Sequence, residues 1–271
     1  METGDPSGVA AEILAVLDSG RQLEPISGRV PGFDATAAYG VAAELRRMRI
    51  ARGETPVGRK IGFTNRNIWQ EYGVFQPIWG DVYDTTLRDI LPGAVVHVAH
   101  LPEPRIEPEI VLCIGRDLSM AMSLEEVEDS IEWVAHGYEI VQSVFPAWRF
   151  GVADCIADGG LHGALCVGPR HAVPPEARRG LAAKLAGVTV SLSKDGTPMD
   201  SGVGANALDG PIHALMHLAA AVGTGPEAPT LRAGEIITTG TLTRAFPVLP
   251  GERWATETSG SFLAGLDVVI G

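Results

Sequence analysis

The sequence lacks the features that define secreted and membrane proteins. Its 271 residues include three cysteines, at positions 113, 155 and 166, with no paired spacing. That small odd number argues against a disulfide framework or zinc site and predicts buried thiols in a reducing compartment. No stretch reaches the ~20 apolar residues of a membrane span, and the first twenty residues lack a basic leader with an apolar core. We therefore expect a soluble cytoplasmic protein that does not act at a membrane.

The chain also lacks the marks of proteins that bind nucleic acids or nucleotides. Its formal net charge of −12 argues against nucleic-acid binding, because phosphate backbones demand basic patches. It contains no phosphate-binding loop, no dinucleotide fingerprint and no serine-nucleophile elbow. What the chain does have is 33 glycines and 19 prolines spread along its length, which is typical of turns in a β-rich protein.

Hydrophobic periodicity predicts an α/β (α+β) protein, with a helical N-terminal region (1–56) and a β-rich domain (57–271) in one compact unit. Helices are predicted over 7–19, 34–52, 124–135 and 211–222. Strands are predicted near 57–63, 93–100, 109–115, 137–145, 163–169, 235–243, 252–258 and 263–270. The clearest hairpin covers 188–202, with Asp195 and Gly196 at its turn.

The segment RIEPEIVLCIG (105–115) places two carboxylates ahead of a buried run. Side chains alternate along a strand, so Glu107 and Glu109 project from the same face. Two ionised carboxylates at close range repel each other, and a divalent cation such as Mg²⁺ or Mn²⁺ removes that repulsion. Glu139, inside the apolar run HGYEIVQ, is the best candidate for a third ligand.

A simpler interpretation of the same residues stays open at this point. Glu107 and Glu109 would then lie at the exposed start of the strand, and Glu139 would pair with Arg105 or Arg149. Spacing alone does not decide between a metal site and this arrangement, because a Glu-x-Glu motif is by itself a weak indication.

Four segments together resemble one enzyme family. They are VGRKIGFTNRNIWQEYGVFQPIWGDVYD (57–84), RIEPEIVLCIG (105–115), GYEIVQSVF followed by ADCIADGGLHGALCVG (137–168), and GEIITTGTLTRAFPVLPGERWATE (234–257). Their order and spacing are similar to those of the 2-keto-4-pentenoate hydratases and 4-oxalocrotonate decarboxylases, within the fumarylacetoacetate hydrolase superfamily. The resemblance covers nearly the whole chain from about residue 35.

The resemblance implies a fold, a cofactor and a set of site residues. The family fold is a mixed β-sheet rolled into a barrel-like core with peripheral helices, usually in homo-oligomers. Its Mg²⁺ or Mn²⁺ ligands map onto Glu107, Glu109 and Glu139, and its active-site lysine maps onto Lys60. That lysine can stabilise an oxyanion or transfer a proton, although a structural ion pair is the alternative.

Two segments depart from the family pattern. Phe75, Ile78 and Trp79 stand in a stretch where hydratases commonly carry acids, so we expect them to line a less polar substrate pocket. In ADGGLHG, His162 replaces polar residues of many hydratases and is a candidate general acid or base. Asp158 in the same segment is a further candidate catalytic residue and is expected to hold a strand end or Lys60.

The segment Thr239-Gly240-Thr241 is expected to bind substrate. It offers hydroxyl groups and a backbone that a ligand can approach closely, and in the family this segment borders the carboxylate-binding end of the pocket. The alternative is a strand with a bulge at the glycine.

The function that follows is a metal-dependent lyase acting on a small 2-oxo or 2-hydroxydienoic acid. As a hydratase it adds water through a metal-stabilised enolate. The same enolate also serves a decarboxylase, and a C–C bond hydrolase is a third possibility in which His162 activates water. A non-catalytic partner subunit is the alternative of another class.

Overall fold

Two β-sheets covered by short helices form the part of the chain that the computed structural model describes, residues 5–223, 231–260 and 262–271. The strands are β1 Pro56–Gly62, β2 Ile78–Tyr83, β3 Leu87–Asp89, β4 Ala94–Val96, β5 Arg105–Ile114, β6 Ile131–Val141, β7 His162–Val167, β8 His171–Ala172, β9 Thr189–Lys194, β10 Thr197–Val203, β11 Ile236–Thr238, β12 Phe246–Pro247, β13 Arg253–Ser259 and β14 Asp267–Ile270. The helices are α1 Pro6–Ser19, α2 Ile26–Arg29, α3 Ala35–Ala51, α4 Trp69–Tyr72, α5 Leu124–Glu128, α6 Val152–Ala157, α7 Pro175–Arg178, α8 Leu181–Ala186 and α9 Pro211–Val222. Within the described ranges, no helix has the length and apolar character needed to cross a membrane.

The larger sheet is mixed and curled, which confirms the predicted fold class. Its strands follow the order β2-β1-β11-β5-β6-β7-β3, and β12 and β8 add to β5 and β6. Strand β1 runs parallel to β11, whereas β5 and β6 form a long antiparallel pair from Arg105 opposite Val141 to Ile114 opposite Ile131. The smaller sheet has the order β10-β9-β13-β14-β4.

The predicted helix over 124–135 is correct only in its first turn. Ser123 and Glu126 form the capping box, but α5 ends at Glu128 and β6 begins at Ile131. Residues from 131 onward pair with β5 on one side and β7 on the other, and these ladder hydrogen bonds override the local helical pattern. The strand predicted over 137–145 therefore starts six residues earlier and ends at Val141.

Other local predictions differ in how far each element extends. Helix α9 and the hairpin of β9 and β10 are confirmed, with Asp195 and Gly196 both at positive φ in the turn. The strands expected over 93–100 and 235–243 are short, because the chain leaves the ladder after Val96 and after Thr238. Helix α6 was not predicted. The three cysteines are free and buried, as expected.

The N-terminal helices pack against the larger sheet. Val9 and Ile13 of α1 and Val41 of α3 share one buried cluster with Ile78 of β2 and Ile156 of α6. This continuous apolar contact is what a single compact unit requires, while the division at residue 56 stays a prediction.

A buried carboxylate supports that packing. Asp154 of α6 is fully buried and accepts hydrogen bonds from the Ser27 amide (2.9 Å), the Ser27 hydroxyl (2.6 Å) and the Gly151 amide (2.8 Å). It therefore joins α2 to the start of α6.

We expect Asp154→Ala to lower the free energy of unfolding by about 1–3 kcal/mol, because it leaves buried donors without an acceptor. Urea denaturation followed by circular dichroism measures the change. The matched control is Glu12→Ala, which removes an exposed ion pair with Arg29 and should change stability by less than about 1 kcal/mol. Equal losses in the two variants would contradict this assignment.

Candidate metal and active site

Three glutamates meet on one face of the larger sheet. Glu107 of β5 lies directly opposite Glu139 of β6 in the antiparallel register, and Glu109 follows on the same face of β5. One carboxylate oxygen from each lies within 4.8 Å of the others. Register between the two central strands is thus what assembles the cluster.

In two of these carboxylates, one oxygen is hydrogen-bonded and the other is not. Glu109 Oε2 accepts hydrogen bonds from the Gly240 amide (2.8 Å) and from the hydroxyl of Thr238. Glu139 Oε1 is 3.0 Å from Lys60 Nζ and 2.8 Å from His162 Nδ1. The remaining oxygens, Glu109 Oε1 and Glu139 Oε2, are buried and have no hydrogen-bond partner among the residues that the structure describes.

Burial and mutual repulsion perturb the three carboxyl groups. Burial, reinforced by repulsion from Glu139, raises the pKa of Glu107 to about 7. The pKa of Glu109 rises for the same two reasons. Burial alone would raise the pKa of Glu139 too, but attraction to Lys60 and the hydrogen bond from His162 lower it to about 2. Without a cation, Glu139 is therefore the most readily ionised of the three.

A hard divalent cation fits this donor set. Buried polar atoms in proteins almost always have a hydrogen-bond or metal partner. Two buried carboxylate oxygens that lack one, in a cluster with a third carboxylate, therefore indicate a bound group. Oxygen ligands are those that Mg²⁺, Ca²⁺ and Mn²⁺ prefer, and the cation would neutralise the repulsion among the glutamates.

Lys60 lies beside the carboxylates on strand β1. Its side chain is buried, and attraction to Glu139, Glu107 and Glu109 outweighs the effect of burial and raises its pKa. The ammonium group is therefore charged. Two glycines allow this close packing: a Cβ on Gly160 would lie 3.2 Å from Lys60 Cδ, and one on Gly240 would lie 1.7 Å from Thr64 Oγ1. Both glycines have positive φ.

His162 is bonded at both ring nitrogens. Because Glu139 is ionised and can only accept, Nδ1 carries the proton and donates to it at 2.8 Å. Burial lowers the pKa of His162, so the ring is neutral and Nε2 accepts from the Thr86 hydroxyl at 2.8 Å. The neutral ring thus orients Glu139 and has no free nitrogen.

Asp158 stabilises the turn that covers Lys60. Its Oδ1 accepts a hydrogen bond from the Leu161 amide at 2.8 Å, across the positive-φ residues Gly159 and Gly160. Burial raises the pKa of Asp158 to about 7, and its Oδ2 is buried without a partner. That Asp158 holds a strand end or Lys60, and that it is catalytic, both stay predictions.

A small cavity lies over the carboxylates. Its lining combines polar groups near the metal ligands with apolar and aromatic side chains on the outer side: Lys60, Gly62, Phe63, Thr64, Ile68, Tyr72, Glu107, Glu109, Val141, Trp148, Gly160, Leu161, Gly240 and Thr241. The space left is about 30 Å³, enough for one or two water molecules.

The structure does not bring all the predicted substrate-binding residues to this cavity. Gly240 and Thr241 line it, whereas the Thr239 hydroxyl points away and donates to Ile110 O at 2.7 Å. Phe75 is 62% exposed and Ile78 packs in the core beneath the N-terminal helices. A role of these side chains in substrate binding stays a prediction.

Trp79 lines a second cavity on the other side of the Gly159-Gly160 turn. This space of about 360 Å³ lies between α3 and β2, and Asp158 and His162 also border it. Trp79 therefore borders this second space, whereas it is not among the residues that line the cavity over the carboxylates.

Several residues at the site were not predicted from the sequence. Tyr72, Trp148 and Leu161 cover the cavity from three separate segments, and Thr238 holds Glu109. Nothing in the order of residues along the chain places these segments together. Arg105 also lies near the site, and its position does follow from the sequence, since strand alternation puts it on the same face of β5 as Glu107.

Comparison with known proteins places this geometry in context. A family model described as fumarylacetoacetate (FAA) hydrolase C-terminal matches residues 89–267. The chain is 30% identical over 243 residues to 2-hydroxyhexa-2,4-dienoate hydratase of Comamonas testosteroni, covering 89% of each chain. It is 33% identical over 214 residues to a 4-oxalocrotonate decarboxylase of a Pseudomonas species, covering 78% of this chain and 79% of the relative.

A solved structure shares nearly the whole fold. It is the 4-oxalocrotonate decarboxylase of Pseudomonas putida G7 complexed with magnesium and adipate, with a TM-score of 0.87 and 25% identity. The match covers 98% of this chain and 97% of the other. A second structure of that enzyme holds calcium and acetate. These metal-bound neighbours and the carboxylate cluster support a divalent cation at the site.

We expect a divalent cation to stabilise the protein more at pH 8 than at pH 5.5. The raised pKa values of Glu107 and Glu109 mean that the metal-free native state holds more protons than the unfolded chain above pH 4.5. Its stability therefore falls as pH rises through about 7. Cation at 100 times its Kd adds about 2.7 kcal/mol where these carboxyls are ionised.

Thermal unfolding with and without Mg²⁺ at the two pH values measures this difference. Glu107→Gln should remove most of the cation's effect, whereas Glu125→Gln, a change at an exposed glutamate, should keep it. A cation effect of the same size at both pH values would contradict the raised pKa values.

Proposed function

Because the chain belongs to the fumarylacetoacetate hydrolase family, we propose that it is a divalent-metal-dependent lyase that adds water to a 2-hydroxydienoic acid. The observation that carries this proposal is the pair of buried, unpartnered oxygens of Glu109 and Glu139 beside the charged Lys60. The names of the relatives support the substrate class, since hydratases of such acids share about 30% identity over most of the chain.

The cation we propose is Mg²⁺ or Mn²⁺, held by Glu107, Glu109 and Glu139. Carboxylate-rich sites suit both ions, and neither requires a nitrogen or sulfur ligand. When bound, such an ion acts as a Lewis acid toward the carboxylate and keto oxygens of a 2-oxo acid.

The hydration requires proton movement at several atoms of the substrate. The dienol loses its O–H proton and gains one at C5, which gives the 2-oxo-3-enoic acid. Water oxygen then bonds to C4 and a proton is added at C3. Negative charge develops on the C2 oxygen in both stages, and the Lys60 ammonium can donate a hydrogen bond to it.

The residues around Lys60 hold its side chain in position to donate this hydrogen bond. Glu139 holds its ammonium group at 3.0 Å, and the turn at Gly160 packs against its alkyl chain. Phe63, Tyr72 and Trp148 exclude bulk water from the cavity, which strengthens each electrostatic contact inside it.

A decarboxylase is the second candidate. The observation that favours it is the likeness to the 4-oxalocrotonate decarboxylase structure over 98% of the chain, together with the 33% identical relative. In that reaction a C–C bond breaks to release CO₂, and its electron pair passes into the enolate. Lys60 would stabilise the same C2 oxygen, so this cluster serves either reaction.

The decisive assay uses Mg²⁺-loaded protein with 2-hydroxypenta-2,4-dienoate and with 2-oxohex-3-enedioate. We expect the dienoate absorbance to disappear without CO₂. Lys60→Met should lower kcat by about 10²–10⁴-fold, because the group that stabilises the developing charge is lost.

Lys184→Met is the matched control, since Lys184 is exposed and lies away from the cavity. It should keep wild-type kcat. Release of CO₂ from the diacid, with the dienoate unchanged, would contradict the hydratase proposal and support the decarboxylase. A wild-type protein that binds Mg²⁺ yet alters neither compound would overturn the proposed function.

His162 offers a separate test because Asn and Gln each imitate one ring nitrogen. His162→Asn can keep the hydrogen bond to Glu139, and we expect it to retain kcat within about tenfold with an unchanged pH profile. His162→Gln places its amide toward Thr86 instead, and we expect it to lower kcat further than His162→Asn does. Steady-state kinetics from pH 6 to 9 measures both variants. Loss of one limb of the pH profile in His162→Asn would show that the imidazole itself transfers a proton.

A further inference from the structure

The second cavity, between α3 and β2, is large enough to hold a small organic molecule. Its space of about 360 Å³ falls within the range of about 300–1,000 Å³ that is typical of ligand sites. It shares no lining residue with the cavity over the glutamates, and Asp158 and His162 border the second cavity alone. The second cavity is therefore a separate candidate site and not an extension of the metal site.

Small residues leave room for this cavity. Helix α3 contributes Ala42 and Ala43 to its wall, β2 contributes Gly80, and the turn after α6 contributes Gly159. A Cβ on Gly80 would lie 2.0 Å from the Gly159 carbonyl oxygen, so only glycine allows this turn to pack directly on β2. A larger side chain at Ala42 would occupy part of the space.

Two aromatic rings give the cavity a flat apolar wall. Tyr39 of α3 and Trp79 of β2 are half-buried and stack on each other, with ring centres 5.0 Å apart and planes inclined by 23°. Leu45 adds further apolar surface to the same wall. Such rings bind planar apolar groups, and their faces also attract cations. The wall therefore suits an aromatic ligand.

The two arginines of the wall already have carboxylate partners. Arg46 forms an ion pair with Asp81, which lines the cavity as well, and Arg49 pairs with Glu54 at 2.6 Å. Each guanidinium charge is therefore compensated within the chain. Nothing in this pairing favours an anionic ligand.

Asp158 supplies the one buried side-chain nitrogen or oxygen of this wall that has no hydrogen-bond partner among the described residues. Its side chain is 4% exposed, and Oδ1 accepts a hydrogen bond from the Leu161 amide, whereas Oδ2 is unpartnered. Burial raises the pKa of Asp158 to about 7, so the enclosed site disfavours its charge. A positively charged donor would satisfy Oδ2 and offset the cost of burying the carboxylate.

We propose that the second cavity binds a small aromatic amine, whose ring lies against Tyr39 and Trp79 and whose ammonium group donates to Asp158 Oδ2. The apolar wall accounts for the ring, and the single unpartnered carboxylate oxygen accounts for one charged donor. This site does not depend on which reaction the glutamate cluster catalyses.

The test compares two probes that differ in one group, 2-phenylethylamine and 2-phenylethanol. Isothermal titration calorimetry measures both dissociation constants, in excess Mg²⁺ so that the ammonium group does not compete for the glutamates. Wild type should bind the amine about 10- to 100-fold more tightly, the effect of a charged hydrogen bond in an enclosed site. Asp158→Asn keeps an acceptor for the Leu161 amide but replaces Oδ2 by an NH₂ group, and should reduce the preference to within about threefold.

A pair of variants on α3 locates the bound probe. Ala42→Leu fills part of the cavity and should weaken the binding of both probes by about tenfold or more. Ala37→Leu, the same change at an exposed position of α3 outside the cavity, should leave both dissociation constants unchanged. These two variants also decide the matter if Asp158→Asn does not fold.

Three results would overturn the proposal. They are equal binding of the two probes by wild type, a preference for the amine that survives in Asp158→Asn, and binding that survives in Ala42→Leu. Absence of saturable amine binding by wild type would overturn it as well. The dienoate assay tests the proposed function separately, so neither failure implies the other.

Discussion

Repulsion among three carboxylates is the constraint on which the rest of this site depends. The register of β5 and β6 places Glu107 directly opposite Glu139, with Glu109 on the same face. Like charges across a strand pair are unfavourable, and burial makes them more so. Lys60 compensates one carboxylate, and it does so by contacting a single oxygen of Glu139. A divalent cation held by Glu107, Glu109 and Glu139 would offset the remaining repulsion, which would couple the chemistry of the site to the stability of the sheet.

The surrounding structure orients those oxygens. Gly240 and Thr238 bind one side of Glu109, and His162 and Lys60 bind one side of Glu139. Glu109 Oε1 and Glu139 Oε2 have no such partner among the described residues. His162 is suited to this because burial keeps it neutral, which fixes the proton on the nitrogen that faces Glu139. An imidazole that carried charge here would compete with the cation.

Specificity resides outside the glutamate cluster. Relatives that catalyse hydration and decarboxylation align with the same chain, so the cluster alone does not select a reaction. The outer wall of the cavity is made of Tyr72, Trp148 and Leu161, and Arg105 lies behind it. These side chains border a space of about 30 Å³ beside the glutamates, where they are in a position to distinguish one substrate from another.

Residue order alone predicted the carboxylate cluster and Lys60, because strand alternation places Glu107 and Glu109 on one face and the family resemblance points to Glu139 and Lys60. It also predicted local elements with strong signals, such as α9 and the Asp195-Gly196 hairpin. That residues 131–135 form a strand depends on tertiary structure, since pairing with β5 outweighs helical spacing. Tertiary structure likewise decided that Trp79 faces a different cavity and that His162 bonds Glu139. Such contacts join segments far apart in sequence, and no local pattern encodes which face of one strand meets a distant turn.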